Sequence, residues 1–303
     1  IQSSHIYSTY FAPRGRSRIY TLGMQIAQLY LSPFDQIIGF IGEAGSGKSV
    51  LIKGMFPGIE LTNDDDGVNV RPLPLLEQEY ETGFFTPHTY HLDIRFETGF
   101  HQLSELADAV RLAVRRGKRI IIEHFDLIYP LLGVNANLLI GVGEQIVITR
   151  PNLFGPLPQE LCDIVYPSLA YRLMAHSAED LCEYAMTQEQ MLACSHGDIR
   201  HGFVLEFNEH QPDIDIPTLE ARVNELIRQD LPIDYYDESH ILLGGAQHYC
   251  TGPRTHVRST GRIIGFRLLD HFIYDHFHKT YMLVGCVGDD SEENIRKLET
   301  IHG

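Results

Sequence analysis

No apolar stretch in this 303-residue chain approaches the roughly 20 residues that a helix needs to cross a bilayer, so no membrane span is expected. Cysteine is sparse: the five residues, an odd number without framework spacing, fit a reducing compartment and an expected cytoplasmic location. The opening residues Ile1-Gln2-Ser3-Ser4-His5 lack a signal-peptide pattern. Positive charge is short as well, and unevenly so. Residues 1–150 carry 13 Lys and Arg against 16 Asp and Glu, a net of −3, whereas residues 151–303 carry 11 against 24, a net of −13. That acidic half repels polyanions, so any nucleic-acid contact there must be local rather than a broad basic face. All five cysteines and 11 of the 16 histidines also lie in it, which concentrates soft and borderline metal ligands away from the N-terminal half.

The length favours two domains, each large enough for its own core. Gly42-Glu43-Ala44-Gly45-Ser46-Gly47-Lys48-Ser49 fits G-x-x-x-x-G-K-[ST] without a mismatch. The apolar run Ile37-Ile38-Gly39-Phe40-Ile41 leads into it as a buried strand, and Ser49-Val50-Leu51-Ile52 continues as a helix. Strand, glycine loop and helix are the context in which this motif cradles phosphate. Backbone N–H groups around Gly42, Gly45, Ser46 and Gly47 would face phosphate oxygens, helped by the helix N-terminus. Lys48 would reach the outer phosphates, and the Ser49 hydroxyl would sit on Mg²⁺. The expected ligand is ATP or GTP with Mg²⁺.

Residues 1–35 read as an N-terminal arm with a helical stretch from Arg18 to Leu31. His88–Phe96 alternates like a strand. Leu103, Leu106, Val110 and Val114 form the inner stripe of a helix ending at Gly117. Ile120-Ile121-Ile122 is a buried strand, and a strand pair is expected around Leu138–Thr149. Glu123, directly after Ile122, is the acid best placed to hold Mg²⁺ or its water, with Asp126 second. A solvated strand-end acid is the alternative for Glu123. The proline-rich run Arg150–Pro158 marks a boundary. Beyond it the order is a helix over Tyr171–Met186, a strand over Phe203–Phe207, a helix after Pro217, short strands at Ile263–Leu268 and Tyr281–Val287, and a helical tail from Asp289.

The segment Ile120–Leu127, taken with the glycine loop, resembles the apolar-strand-plus-Glu segment of uridine-kinase-like P-loop kinases. That resemblance implies an acidic group shortly after the loop helix that activates the phosphate acceptor, and Asp64, Asp65 and Asp66 lie in that place. Asp65 and Asp66 are therefore candidate catalytic acids beside Lys48 and Glu123. Three adjacent aspartates also read as an exposed turn.

A second resemblance falls in the other half. Cys250-Thr251-Gly252-Pro253-Arg254-Thr255-His256-Val257, followed by Ser259-Thr260-Gly261-Arg262-Ile263, is similar to the metal-binding signature of the second additional, editing domain of alanyl- and threonyl-tRNA synthetases. The order and spacing of the surrounding elements hold from His176 to Gly288. The resemblance implies a zinc site made by an H-x-x-x-H pair on a helix with a later Cys and His. Here these are His176, Asp180 in place of the second histidine, Cys250 and His256, with five residues instead of three between Cys250 and His256. All four are acceptable zinc ligands, and a retained fold with a dead site is the alternative. Cys182, Cys194, His196 and His201 are further ligand types nearby in sequence. Arg254, Arg258, Arg262 and Arg267 form the local basic cluster.

The expected architecture is α/β: an arm at 1–35, a nucleotide-binding domain with a mostly parallel sheet at 36–155, an α+β editing-like domain at 165–288 and a tail at 289–303. Three functions fit that architecture. One is a P-loop kinase or NTPase whose second domain binds an amino acid, aminoacyl ester or related small molecule. Another is a zinc-dependent aminoacyl-tRNA deacylase with a regulatory nucleotide domain. The third is a non-catalytic sensor controlled by nucleotide.

Overall fold

The computed structural model describes residues 7–61, 88–208 and 210–302. Among these it is mixed α/β and divides into two units: Ile1–Ala12 with Arg16–Pro167, and Pro13–Gly15 with Ser168–Gly303. Asp64, Asp65 and Asp66 lie outside the described residues.

In the first unit, β1 (Tyr7–Phe11), β2 (Ile37–Ile41), β3 (Thr89–Asp93), β4 (Arg119–Glu123), β5 (Leu138–Val142) and β6 (Gln145–Thr149) form one sheet in the order β1-β6-β5-β2-β4-β3. The pairs β3–β4, β4–β2 and β2–β5 are parallel, while β5–β6 and β6–β1 are antiparallel. The sheet is therefore mixed, with its parallel part around β2. The hairpin from β5 to β6 is short, so those strands must run antiparallel.

Strand alternation supplies the core. Ile37 and Ile41 of β2 pack with Leu106, Val110, Phe125 and Ile128, while Ile38 and Phe40 pack with Ile19, Ile26, Leu51 and Ile52. Helices thus cover both faces: α1 (Arg16–Tyr30) and α2 (Lys48–Met55) on one, α4 (Leu103–Arg115) and α5 (Phe125–Leu132) on the other. Each fully buried Ile contributes about 1.5–3 kcal/mol, so the central strand is a rigid base for the loop that follows it. Residues 7–11 of the expected arm belong to the sheet instead, because β1 pairs with β6 from Tyr7↔Thr149 to Phe11↔Gln145.

Several elements depart from the sequence reading; the strand expected over Ile263–Leu268, for one, is strand only at Arg267–Leu268. The segment expected as one strand over His88–Phe96 is strand only through Asp93, after which Ile94–Glu97 turns into the short helix α3. The Asp93 side chain accepts from the Phe96 N–H, an N-cap that stops the strand and starts the helix. The proline-rich run at Arg150–Pro158 leads directly into α6, which covers Pro158–Ala185 and so begins well before Tyr171.

The second unit is built on antiparallel strands. Strands β12 (Arg267–Leu268), β14 (Thr280–Cys286), β8 (Gly202–Asn208) and β7 (Cys194–Ile199) neighbour one another in that order, and β13 (Ile273–Asp275) also pairs with β14. A separate sheet holds β11 (Ala246–Tyr249), β10 (His240–Leu243) and β9 (Ile233–Asp237). The helix α7 (Gln188–Ala193) precedes β7, α8 (Ile216–Arg228) lies between β8 and β9, and α9 (Ser291–His302) ends the described chain. Phe203, Leu205, Phe207, Val223, Ile241 and Leu283 join Ala178, Leu181 and Cys182 of α6 in one core.

Candidate functional site

The loop after β2 is shaped by its glycines. Gly47 sits at φ +91, a left-handed conformation that other residues adopt only with strain, and is the N-cap of α2. The helix begins at Lys48, whose side chain folds back over the loop. Its Nζ donates to the carbonyls of Gly42 and Glu43 at 3.0 and 2.9 Å and lies 3.7 Å from Glu123 Oε2. Ser49, one residue on, donates its hydroxyl to Glu123 Oε1 at 3.3 Å. Three residues named from sequence (Lys48, Ser49 and Glu123) therefore meet at one buried carboxylate.

The parallel register explains the meeting. Glu123 ends β4 opposite Phe40 on one side and Asp93 on the other, so acids from two neighbouring strands stand at the end where β2 passes into the loop. Strand ends of this kind are where open α/β sheets place ligands. His91, on β3, contacts Glu123 Oε1 through Nε2 at 3.0 Å. Arg95, on α3, donates to Glu43 Oε1 at 2.5 Å across the mouth of the loop. A pocket of about 180 Å³ is lined by Gly45, Lys48, Ser49, Asp93, Arg95 and Glu123, among others. It is smaller than the roughly 300–1,000 Å³ that encloses a whole drug-sized ligand, and its polar wall suits the phosphate end of one.

Electrostatics follow from burial and these neighbours. Burial lowers the Lys48 pKa, although Glu123 and Asp93 oppose it. Burial alone would push the Glu123 carboxyl up, but His91 and Lys48 outweigh it and hold it below the usual range. Glu123 is thus ionised at neutral pH. His124 adopts φ +56, is buried, and is pushed down to about 4 by burial and by the charges of Lys48 and Arg95. It stands neutral at this site. Asp126, the second choice for the strand-end acid, is raised by burial and offers no contact to Lys48 or Ser49. Oxygen donors from Ser49, Glu123 and Asp93 fit a hard cation such as Mg²⁺. Sequence reasoning missed Asp93, His91, Arg95 and His124; the available signal was the polar residues at strand ends.

In the second unit, α6 carries His176, Glu179, Asp180 and Glu183 at spacings of three, four and seven, which gathers them along one side of the helix. Asp180, Cys250 and His256 come together: His256 Nε2 is 2.6 Å from Asp180 Oδ2 and 3.7 Å from Cys250 Sγ. His176 does not join them. Its Nε2 faces Asp198 Oδ1 at 3.6 Å, and burial pushes it down to about 3.

Arg14 takes part instead. Its guanidinium is buried and donates to Glu179, to Asp180 and, at 3.0 Å, to Cys250 Sγ. Gly252 makes room for it, because a Cβ there would come within 3.0 Å of Arg14 Cγ. A fixed cation bonded to two of the three converging groups, with the fourth turned away, does not fit the zinc site that the resemblance implied. His256 is pushed down to about 3 by burial and by Arg14, so it is neutral and Asp180 is balanced by the guanidinium. Of the basic cluster, Arg254 pairs with Glu238 at 3.4 Å and covers Tyr235, while Arg267 pairs with Glu220 and Glu292. Those two charges are already met by carboxylates.

No family model matches the chain, and no curated protein matches it closely enough to count as a relative. No helix among the described residues is long and apolar enough to cross a membrane.

Proposed function

We propose that the first unit binds a nucleoside triphosphate and acts on its terminal phosphoryl group, as a kinase or an NTP hydrolase. The observation that carries this reading is the meeting of Lys48 and Ser49 on Glu123 at the end of the central strand. In that reading the loop amides and the start of α2 receive the phosphate chain. Lys48 leaves the carbonyls of Gly42 and Glu43 and turns to the outer phosphate oxygens. Ser49 and Glu123 would hold Mg²⁺, which supplies charge neutralisation to the phosphates when bound. Arg95 adds a second positive charge near the pocket mouth. Asp93 stands beside Glu123 on the neighbouring strand and can accept a proton from the attacking hydroxyl or water. Asp65 and Asp66 keep that role as the alternative assignment.

The amino acid, aminoacyl ester or small molecule assigned to the second unit rests on the resemblance of its sequence alone. Arg14 on Asp180 and Cys250 weighs against the deacylase alternative, which needs a metal there. Binding and turnover of ATP and of GTP with Mg²⁺, in the full chain and in Lys48→Ala, test the proposal. Micromolar binding lost in the variant supports it. Absence of binding of either nucleotide to the unaltered chain would sink it, and binding without turnover would leave the sensor.

A further inference from the structure

One helical turn beyond Asp180, a second group of ligand atoms gathers around Glu183 and adjoins the first, because Asp180 also lies within 4.8 Å of Glu183 and His248. Cys194 and His196 come from the start of β7 and meet Glu183 of α6, and the three ligand atoms lie within 4.8 Å of one another. His196 Nε2 contacts Glu183 Oε1, and Cys194 Sγ is 3.9 Å from the same oxygen. His248, on β11, reaches the second oxygen of the same carboxylate. Its Nε2 lies 3.9 Å from Glu183 Oε2, it is only 7% exposed, and that nitrogen has no hydrogen-bond partner among the described residues. A buried imidazole nitrogen left in this way has given up water without gaining a partner. It is aimed at a carboxylate that already has a second imidazole and a thiol beside it.

We infer that Glu183, Cys194 and His196, with His248 beside them, form a binding site for one divalent transition-metal ion of the zinc type. The donor set decides the class of ion. Thiolate sulfur and imidazole nitrogen exclude magnesium and calcium, which take oxygen, and favour zinc or cobalt. Zinc bonds of about 2.0–2.3 Å in a tetrahedron put neighbouring ligand atoms roughly 3.3–3.8 Å apart. The two 3.9 Å separations are close to that spacing, whereas His196 and Glu183 are in direct contact and would part to admit the ion. Charge points the same way. Glu179, Asp180 and Glu183 are three buried carboxylates on one stretch of α6. Arg14 forms ion pairs with the first two, whereas the close partners of Glu183 are the two histidines. A divalent ion would balance Glu183 and a Cys194 thiolate together, and would satisfy His248. These ligands share no member with His176, Asp180, Cys250 and His256, and the site lies in the unit opposite in sequence to the glycine loop. Its fate is therefore independent of the nucleotide proposal.

The experiment uses the full chain, stripped with a chelator and titrated with Co²⁺ or Zn²⁺ alone. Expected is one equivalent bound, with a thiolate-to-cobalt charge-transfer band and intense tetrahedral d–d bands. Cys194→Ser should lose the charge-transfer band and His196→Ala should weaken binding at least tenfold, whereas Cys250→Ser should retain both features. In the unaltered chain Zn²⁺ should protect Cys194 from alkylation, read by peptide mass spectrometry, which holds the test open if a variant fails to fold. No stoichiometric binding, or binding without protection of Cys194, overturns the inference. Loss of the charge-transfer band in Cys250→Ser alone also overturns it, by moving the metal to the neighbouring group.

Discussion

The guanidinium of Arg14 lies 3.0 Å from the sulfur of Cys250, although 236 positions separate the two residues in the chain. The same guanidinium bonds Glu179 and Asp180, so one cation from early in the sequence serves a buried group on α6 and the Cys250 loop. Its energetic meaning is asymmetric. A buried ion pair adds little over an apolar replacement of both partners, but removing one partner strands the others.

Arg14→Ala should therefore destabilise the second unit by about 3–5 kcal/mol. Arg14→Lys should recover part of this, since it restores the charge but not the fork that reaches several acceptors. Urea unfolding of the full chain, followed by Tyr and backbone signals, measures both. A loss below about 1 kcal/mol in Arg14→Ala, the range of exposed pairs, would show that Arg14 is not buried among these acids.

Lys48→Ala should lose nucleotide binding, while Ser49→Ala should mainly lose its Mg²⁺ dependence. With nucleotide about 100-fold above Kd, the unaltered chain should gain about 2.7 kcal/mol of stability. Thermal melting with ATP or GTP, with and without Mg²⁺, reads the difference. Equal stabilisation of the unaltered chain and Lys48→Ala would place the nucleotide elsewhere.

Much of the first unit was legible because its signals are local. The strand, glycine loop and helix from Ile37 to Met55 occupy one continuous segment, and Glu123 follows directly from an unbroken Ile run. Asp93 was hidden because Thr89–Asp93 and Ile94–Glu97 read together as one alternating strand, and only the N-cap separates them. In the second unit, Asp180, Cys250 and His256 were named and do converge, whereas Arg14 could not be tied to them by any local pattern. Nothing in residues 13–15 says that a segment so early in the chain packs with residues past 168. The sheet of β9, β10 and β11 was missed for another reason. Tyr235, Tyr236 and Tyr249 are exposed and mixed with Asp and His, so β9 and β11 lack a buried apolar alternation, and β10, where Ile241 and Leu243 do alternate inward, is only four residues long.

Asp93 divides the two assignments for the group that activates the phosphate acceptor. Asp93→Asn keeps the shape and the cap acceptor but removes the charge, so phosphoryl transfer or hydrolysis should fall by about 10²–10⁴-fold. Nucleotide affinity should change much less. If instead the Asp65→Asn and Asp66→Asn pair abolishes turnover while Asp93→Asn retains it, the acidic segment after α2 is the activating group and Asp93 serves only as a cap.

Glu97 gives the first unit a pH dependence that runs opposite to that of an ordinary salt-bridged acid. It is fully buried, neither carboxylate oxygen has a hydrogen-bond partner among the described residues, and burial with the Asp93 charge pushes its pKa up to about 7. In the unfolded chain the same group ionises near 4.5. Between those values the folded protein holds a proton that the unfolded chain has released. Stability from this group is complete below about pH 4.5, declines as pH rises, and is lost above about 7. The difference is on the order of 1–3 kcal/mol. Glu97→Gln cannot ionise and should be the more stable form at pH 8, with the gap closing toward pH 5. Urea midpoints of both chains at the two pH values test this, and a gap that is constant or widens toward pH 5 would show that Glu97 is charged in the folded state.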